Sequence, residues 1–445
     1  MPIEICTVSG YNEVGRNMTA INVDGDVIIC DMGLHMENYV RFTEDQEIEN
    51  FDSADLIKVN AVPDMRPIED WKDKVKAIIP SHAHLDHIGA IPFLANEFHA
   101  PILCTPFTAA VLQSMIRDRK TPFRNHIRSC AINSTYHISK NITVEFVEIT
   151  HSTPHTALIC LHTKYGTVIY ANDFKLDLYP TIGNKVNFKK LRKLGEKGVL
   201  ALVIESTYAS LEQKMPSESV ARQMLMDVLL GTETKDHAIF VTTFSSHIAR
   251  LKAIYEFGRS LGRKVIYMGR SIDRYMYAAE KVGLLNLYKK AKILRFSRQM
   301  ANELKKIDRD GRGKYLIVVT GHMGEPKAVL SRIARGEMGF KFKPDDQVIF
   351  SNRVIPTPTT IANRQALEQD LKAQKVRIFK DIHVSGHAAR EDLRDMIDML
   401  KPKHIIPAHG DVHMTAALAG LAREMGYVSE KTVHIMQNGD RIKLQ

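Results

Sequence analysis

Cysteine is scarce in this chain. Its five cysteines, Cys6, Cys30, Cys104, Cys130 and Cys160, are odd in number and include no Cys-x-x-Cys pair. That excludes a disulfide framework. They lie mostly in strand-like apolar runs, which makes them reduced core residues of a cytoplasmic protein. Also missing are an 18-residue apolar run and a charged-then-apolar leader, so neither a membrane span nor secretion is expected. Low-complexity tracts and long repeats are absent too. Acidic residues are outnumbered by basic ones, 51 to 61, for a net charge of +10 and a pI near 9.2. This balance favours a polyanionic partner, though the charge is spread over a chain of 445 residues, long enough for two cores.

What is abundant is histidine in one place. Ser81-His82-Ala83-His84-Leu85-Asp86-His87 sets three imidazoles and a carboxylate within six residues, directly after the strand-like Val75-Lys76-Ala77-Ile78-Ile79-Pro80. In extended chain His82 and His84 point the same way, because side chains alternate with period two. The apolar segment from Ile88 to Leu94 reads as a helix, with Asp86 and His87 at its start and aimed at a second centre nearby. Imidazole and carboxylate ligands together suit zinc, with manganese the second candidate.

Two metals need further ligands, and isolated His and Asp residues stand at other strand ends. His151 follows the strand-like 142–149, Asp173 follows 167–172 and His409 follows 404–408. Asp31, closing Val27-Ile28-Ile29-Cys30, reads as a carboxylate that orients a ligand rather than as a ligand. The order of these residues resembles the metallo-β-lactamase superfamily. That resemblance implies one metal on His82, His84 and His151, another on Asp86, His87 and His409, and Asp173 bridging them.

More than two hundred residues separate Asp173 from His409, so something is inserted. Between about Glu218 and Phe379, apolar strands at 237–243, 264–268, 314–320 and 347–350 alternate with helical patterns, the rhythm of a parallel α/β sheet. After these strands come small, polar or basic loops carrying Ser245, Ser246 and His247, then Arg270, then Gly321 and Glu325, then Ser351-Asn352-Arg353. Open α/β sheets place ligands at such strand ends, and helix N-termini bind anions, so a phosphate-bearing substrate fits.

Beyond the insertion the resemblance sharpens. A metallo-β-lactamase core interrupted in this way, with Glu205 closing the strand before the interruption, is similar to the β-CASP nucleases. Asn12-Glu13-Val14-Gly15-Arg16-Asn17-Met18, Thr320-Gly321-x-x-Gly324-Glu325-Pro326, His383-Val384-Ser385-Gly386-His387-Ala388, Ile406-Pro407-Ala408-His409-Gly410-Asp411 and Asn438-Gly439-Asp440 look like the ribonuclease J family, over essentially the whole chain. The chain stops at Gln445 without the extra C-terminal domain of bacterial relatives and is similar to the archaeal branch. Ser246-His247 and His322-Met323 depart from the Asn or Ser-Gln that bacterial relatives tend to carry.

The expected architecture is α/β: a metallo-β-lactamase αββα sandwich over 1–210 and 376–445, with an inserted β-CASP parallel-sheet domain over 211–375. The expected catalyst is a two-metal ribonuclease, holding zinc or manganese, in which hydroxide attacks a phosphodiester in line. Its catalytic residues are the metal-holding Asp86, His387 as proton donor to the leaving 3′-oxygen, and Glu205 orienting His387; His383, Ser385 and Gly386 hold the scissile phosphate. The resemblance further implies 5′-to-3′ exonuclease action on single-stranded RNA, a 5′-monophosphate site on Ser245, Ser246, His247, Arg270, Gly321 and Glu325, and a homodimer. The alternatives are an endonuclease of the cleavage-and-polyadenylation type and an inactive RNA-binding scaffold. Basic runs at 185–197 and 289–314 either line an RNA path or are solvated helix faces.

Overall fold

The computed structural model describes residues 3–43, 53–117, 119 and 122–444. The chain forms two compact units: Met1–Leu178 with Gly183–Met215 and Gly386–Gln445, and Tyr179–Ile182 with Pro216–Ser385.

Two sheets build the first unit. One contains β1 (Ile3–Ser9), β2 (Met18–Val23), β3 (Asp26–Cys30), β4 (Val75–Ile79), β5 (Ile102–Cys104) and β6 (Ile127–Ser129). The other contains β7 (Thr135–His137), β8 (Thr143–Glu148), β9 (Ala157–Thr163), β10 (Gly166–Ala171) and β11 (Val199–Glu205). The chain returns after the second unit to supply one more strand to each: β18 (His404–Ala408) lies parallel to β11, and β19 (Asp440–Leu444) lies antiparallel to β1. The orders are β19-β1-β2-β3-β4-β5-β6 and β18-β11-β10-β9-β8-β7.

Ile5, Ile21 and Ile28 of the first sheet share a core with Phe146, Ile159, Val168 and Val203 of the second. The other face of the second sheet packs Ile169, Leu202 and Ile204 against Leu191 and Leu194 of the helix Phe188–Lys197, Leu393 and Ile397 of Arg390–Leu400, and Leu418 and Leu421 of Val412–Glu424. With both faces covered, β11 (Val-Leu-Ala-Leu-Val-Ile-Glu) is buried at every position, which explains its unbroken apolar run. The helix Phe188–Lys197 leaves Lys189, Lys193 and Lys197 exposed, as either reading of the basic run at 185–197 requires.

The second unit holds one all-parallel sheet of β12 (Ile239–Thr242), β13 (Lys264–Met268), β14 (Lys292–Leu294), β15 (Tyr315–Val319), β16 (Gln347–Phe350) and β17 (Arg377–Phe379). Its order is β14-β13-β15-β12-β16-β17. Helices Ile248–Ser260, Arg270–Lys281, Val329–Ala334 and Pro358–Ala373 follow β12, β13, β15 and β16, respectively. The α/β fold class expected from the sequence is the one observed. Among the described residues no helix is long and apolar enough to cross a membrane.

The segment after the histidine cluster differs from the sequence reading. In place of one helix from Ile88 there are two single turns, Leu85–Ile88 and Ile91–Leu94. Pro92 lacks the N–H that would bond back to Ile88. The carbonyl of Asp86 is already taken by the N–H of Asn17 (3.1 Å), and the Ala90 N–H turns to Met32 (3.0 Å). The break keeps Asp86 and His87 fastened to the loop after β3.

Candidate metal centre

The candidate ligands and the carboxylates expected to orient their neighbours stand at the carboxyl ends of strands of the first unit: Asp31 after β3, His82 to His87 after β4, His151 after β8, Asp173 after β10, Glu205 ending β11 and His409 after β18. Asp31, Asp173 and His409 have φ of 58°, 60° and 51°. This left-handed region is uncommon for non-glycine residues and concentrates at functional sites. Here it turns the side chains off the strand direction.

Three groups share Asp173: His82, His84 and His151 form the first, Asp86, His87 and His409 the second, and Glu205 with His387 the third. In the first, His84 Nδ1 lies 3.0 Å from His82 Nε2 and 3.1 Å from His151 Nε2, and the latter two lie 3.4 and 3.6 Å from Asp173 Oδ2. In the second, His87 Nε2 and His409 Nε2 lie 3.7 and 3.8 Å from Asp86 Oδ2. They stand 3.1 and 3.4 Å from Asp173 Oδ2 and Oδ1. A tetrahedral zinc site with bonds of ~2.0–2.1 Å has ligand atoms about 3.3 Å apart. The observed separations bracket that value.

The far sides of the rings fix which nitrogen faces inward. His87 Nδ1–H donates to Asp31 Oδ2 (2.6 Å), His409 Nδ1–H to Asn17 Oδ1 (2.9 Å) and His151 Nδ1–H to the carbonyl of Gly386 (2.7 Å). The Ser81 hydroxyl donates to Asp31 Oδ2 (3.0 Å), leaving its oxygen to accept from His82 Nδ1–H (3.0 Å). All four therefore present an Nε2 lone pair to the centre. His84 is reversed: Nδ1 faces inward and Nε2 lies 3.3 Å from the Ser152 hydroxyl. Asp31 also accepts from the Ser81 N–H and the Tyr170 hydroxyl, so it points away from the centre and anchors His87.

The electrostatics suit cations. Burial, together with neighbouring imidazoles, holds His84 and His151 well below the usual histidine range, and burial lowers His82 as well. These rings are neutral donors. Burial opposes the charge on His87, but Asp173, Asp31 and Asp86 outweigh it and raise its pKa. Burial would also push the Asp173 carboxyl up, but His409, His87 and His387 hold it well below its ordinary range. Asp173 is 1% exposed, and neither of its carboxylate oxygens has a hydrogen-bond donor among the described residues. A buried charge in that condition is costly unless a cation meets it. Divalent metal ions fit the donor set.

In the third group, His387 Nδ1–H donates to Glu205 Oε2 (2.6 Å), and Glu205 Oε1 accepts from the Phe174 N–H (2.8 Å). Burial works against protonation of His387, but Glu205 and Asp173 raise its pKa to about 10. Close packing completes the wall: a Cβ on Gly386 would come 2.8 Å from Ser152 Cβ, and one on Gly33 would come 1.6 Å from the Asp86 carbonyl oxygen.

Comparison with known proteins separates this centre from others on the same scaffold. Residues 56–184 match the beta-lactamase superfamily domain, residues 236–368 the ribonuclease J beta-CASP domain, and residues 374–436 the Zn-dependent metallo-hydrolase RNA specificity domain. Ribonuclease J of Methanocaldococcus jannaschii is 42% identical, the match covering 100% of this chain and 99% of the relative. The chain belongs to the ribonuclease J family. Ribonuclease J of Pyrococcus abyssi is 41% identical over 99% of this chain and 97% of its own length, and Ribonuclease J 1 of Streptococcus pyogenes serotype M3 is 32% identical over 99% and 74%. A crystal structure of a protein of unknown function from Enterococcus faecalis V583 superposes with a TM-score of 0.65 at 16% identity, covering 100% of both chains. That likeness shows the fold alone.

The remaining ribonuclease J candidates lie in the second unit. Ser245 Oγ meets Ser271 Oγ (2.8 Å), joining the loops after β12 and β13. Ser246 and His247 are buried, and His247 Nε2 lies 3.3 Å from Glu218 Oε2. Arg270, the first residue of its helix, is exposed; Gly321 has φ of 114°; and Glu325 accepts from the Met323 N–H (3.1 Å). The ring of His383 is 6.2 Å from that of Phe244, and Ser385 is half-buried. Sequence reasoning missed the supporting roles of Asn17, Ser81, Ser152, Tyr170 and the Gly386 carbonyl. Asn17 lies inside a quoted motif, but nothing in that motif says that its side chain reaches His409.

Proposed function

We propose that this ribonuclease J family member, a metal-dependent hydrolytic ribonuclease, degrades single-stranded RNA from the 5′ end and prefers 5′-monophosphate termini. The observation that carries its metal-dependent hydrolysis is the convergence of seven candidate ligand side chains around Asp173; the 5′-end preference is what the family resemblance implies. His82, His84 and His151 would hold one divalent ion, Asp86, His87 and His409 the other, and Asp173 both. Zinc is the expected ion, and manganese the second candidate. When bound, such ions supply a nucleophile deprotonated near neutral pH and offset charge developing on the phosphoryl oxygens.

The remaining steps belong to the protein's own side chains. His387 is fixed through Nδ1 by Glu205, whose charge raises its pKa, and delivers the Nε2 proton to the departing 3′-oxygen. The Gly386 carbonyl is committed to His151, so in the proposed phosphate contact of His383, Ser385 and Gly386 the last contributes its backbone. Ser245, Ser246, His247, Arg270, Gly321 and Glu325 remain the proposed 5′-phosphate set, with Ser246 and His247 supporting the loop from beneath. Five free, buried cysteines support work in a reducing cytoplasm. The proposed assembly is a homodimer, to be checked by sedimentation.

The test compares two identical RNAs, one with a 5′-monophosphate and one with a 5′-hydroxyl, labelled at the 3′ end and internally. Progressive release of mononucleotides from the monophosphorylated RNA alone is the expected result. Discrete internal fragments from both would replace it with an endonuclease, and binding without cleavage with a scaffold.

A further inference from the structure

The strand order of the second unit reverses where the loops carrying Ser245 and Gly321 leave the sheet. From β12 the chain crosses over β15 to reach β13; from β15 it crosses over β12 to reach β16. Right-handed crossovers in opposite directions put their helices on opposite faces, so the loops leaving β12 and β15 part from each other. Open α/β sheets bind ligands in the crevice opened by such a reversal, outside the carboxyl ends of the strands. Two aromatic rings occupy this crevice. Phe244, two residues past β12, lies 4.3 Å from His322, three residues past β15, measured between ring centroids at 57°. The ring of His383 also lies near Phe244, at 6.2 Å and 45°. The three rings are only half-buried.

The support beneath them is rigid. The His322 carbonyl accepts from Arg364 Nη1 (2.8 Å) and Asn352 Nδ2 (3.3 Å), while its ring nitrogens make no hydrogen bond among the described residues. Burial lowers the pKa of this imidazole, so the ring is neutral near pH 7. Around the same strand ends, Arg270 and Arg353 are exposed. Flat rings beside cationic and hydroxyl groups suit a ligand with one aromatic face and one anionic end, which describes a nucleotide.

We infer that Phe244, His322 and His383 form a stacking platform for one nucleobase of the RNA strand, at the topological switch point of the inserted sheet. The inference rests on the ribonuclease reading and adds to it a base subsite that recognises a π-face rather than a hydrogen-bonding edge. Such a subsite holds a strand in place without restricting its sequence, because every base offers a face.

The experiment uses 5′-monophosphorylated single-stranded RNAs identical except for one abasic residue moved along the strand. Steady-state cleavage is measured with the full chain and with His322→Ala, His322→Phe and Phe244→Ala. We expect one position at which loss of the base raises KM roughly 5- to 150-fold, the range base stacking usually gives. At that position the four bases should differ little. The penalty should vanish in His322→Ala or Phe244→Ala and persist in His322→Phe, which keeps a ring. Cleavage with no sensitive position, or a penalty unchanged in both alanine variants, would overturn the platform and leave the ribonuclease reading standing. Failure of the unaltered protein to cut any of the RNAs would overturn both.

Discussion

Asp173 joins two sets of imidazoles through one buried carboxylate, and the rings around it are positioned by residues outside the candidate ligand set. Asn17 is the clearest such residue, since its Oδ1 fixes the tautomer of His409 from 392 positions away. Replacing Asn17 by Ala should weaken metal binding roughly 10- to 100-fold, as loss of such partners generally does. Competition with a chelator of known affinity would measure it, and an unchanged affinity would remove Asn17 from the account. His387 tests the chemistry instead. In His387→Ala, kcat should fall roughly 10²- to 10⁴-fold with KM and metal content nearly unchanged; a matching rise in KM would mean that the ring binds substrate and donates no proton. The candidate ligands were legible because imidazoles and carboxylates at strand ends have few other uses. Their support was not. The left-handed backbone at Asp31, Asp173 and His409 uses no glycine to announce it, and the need for Gly33 arises only when the Asp86 carbonyl folds against it.

Among the elements, the parallel sheet of the second unit shows how far a periodic pattern reaches. Four apolar runs gave β12, β13, β15 and β16, but the edge strands β14 and β17 are three residues each and only partly buried, too short for a pattern to declare itself. The strand order was hidden too, since it depends on which helix lies on which face. Beneath the loops at this sheet's carboxyl ends lies a buried ionic cluster. Arg250, fully buried, donates to both Glu218 oxygens (2.8 Å each), to the Ser351 hydroxyl (2.7 Å) and to the Ile382 carbonyl (3.1 Å). Burial alone would raise the Glu218 pKa, but His247 and Arg250 outweigh it and hold the carboxyl far below its ordinary 4.5. With the folded pKa depressed, the stabilisation is complete above about pH 4.5 and is lost as pH falls below it. Denaturant titrations from pH 7 to pH 2 should show stability of the unaltered protein dropping more steeply below that point than Glu218→Gln, which starts less stable and lacks this term. Parallel slopes would mean that Glu218 contributes nothing to acid sensitivity.

For the whole molecule, metal binding is expected to couple to the fold. Ions that bind the folded chain and not the unfolded one stabilise it by about 4 kcal/mol per site at a thousandfold excess over Kd. Chelation should therefore lower the melting temperature as well as abolish cleavage, with zinc or manganese restoring both; loss of activity at an unchanged melting temperature would show that the ions leave the fold untouched. The overall architecture was largely legible because an α/β rhythm stands between two halves of a ligand set. How the ends close was not: β19 pairs with β1 through residues such as Ile442 and Leu444, which carry no chemistry to flag them. That closure has a consequence for synthesis. β18 and β19 leave the ribosome after the entire second unit, and His409 lies about 200 residues behind Glu205. At ~5–20 residues per second this is a delay of roughly 10–40 s. Through most of that interval the nascent chain carries six of the seven proposed metal ligands and lacks His387, the proposed proton donor. A chain caught in that interval therefore has no finished blade with which to cut its own messenger.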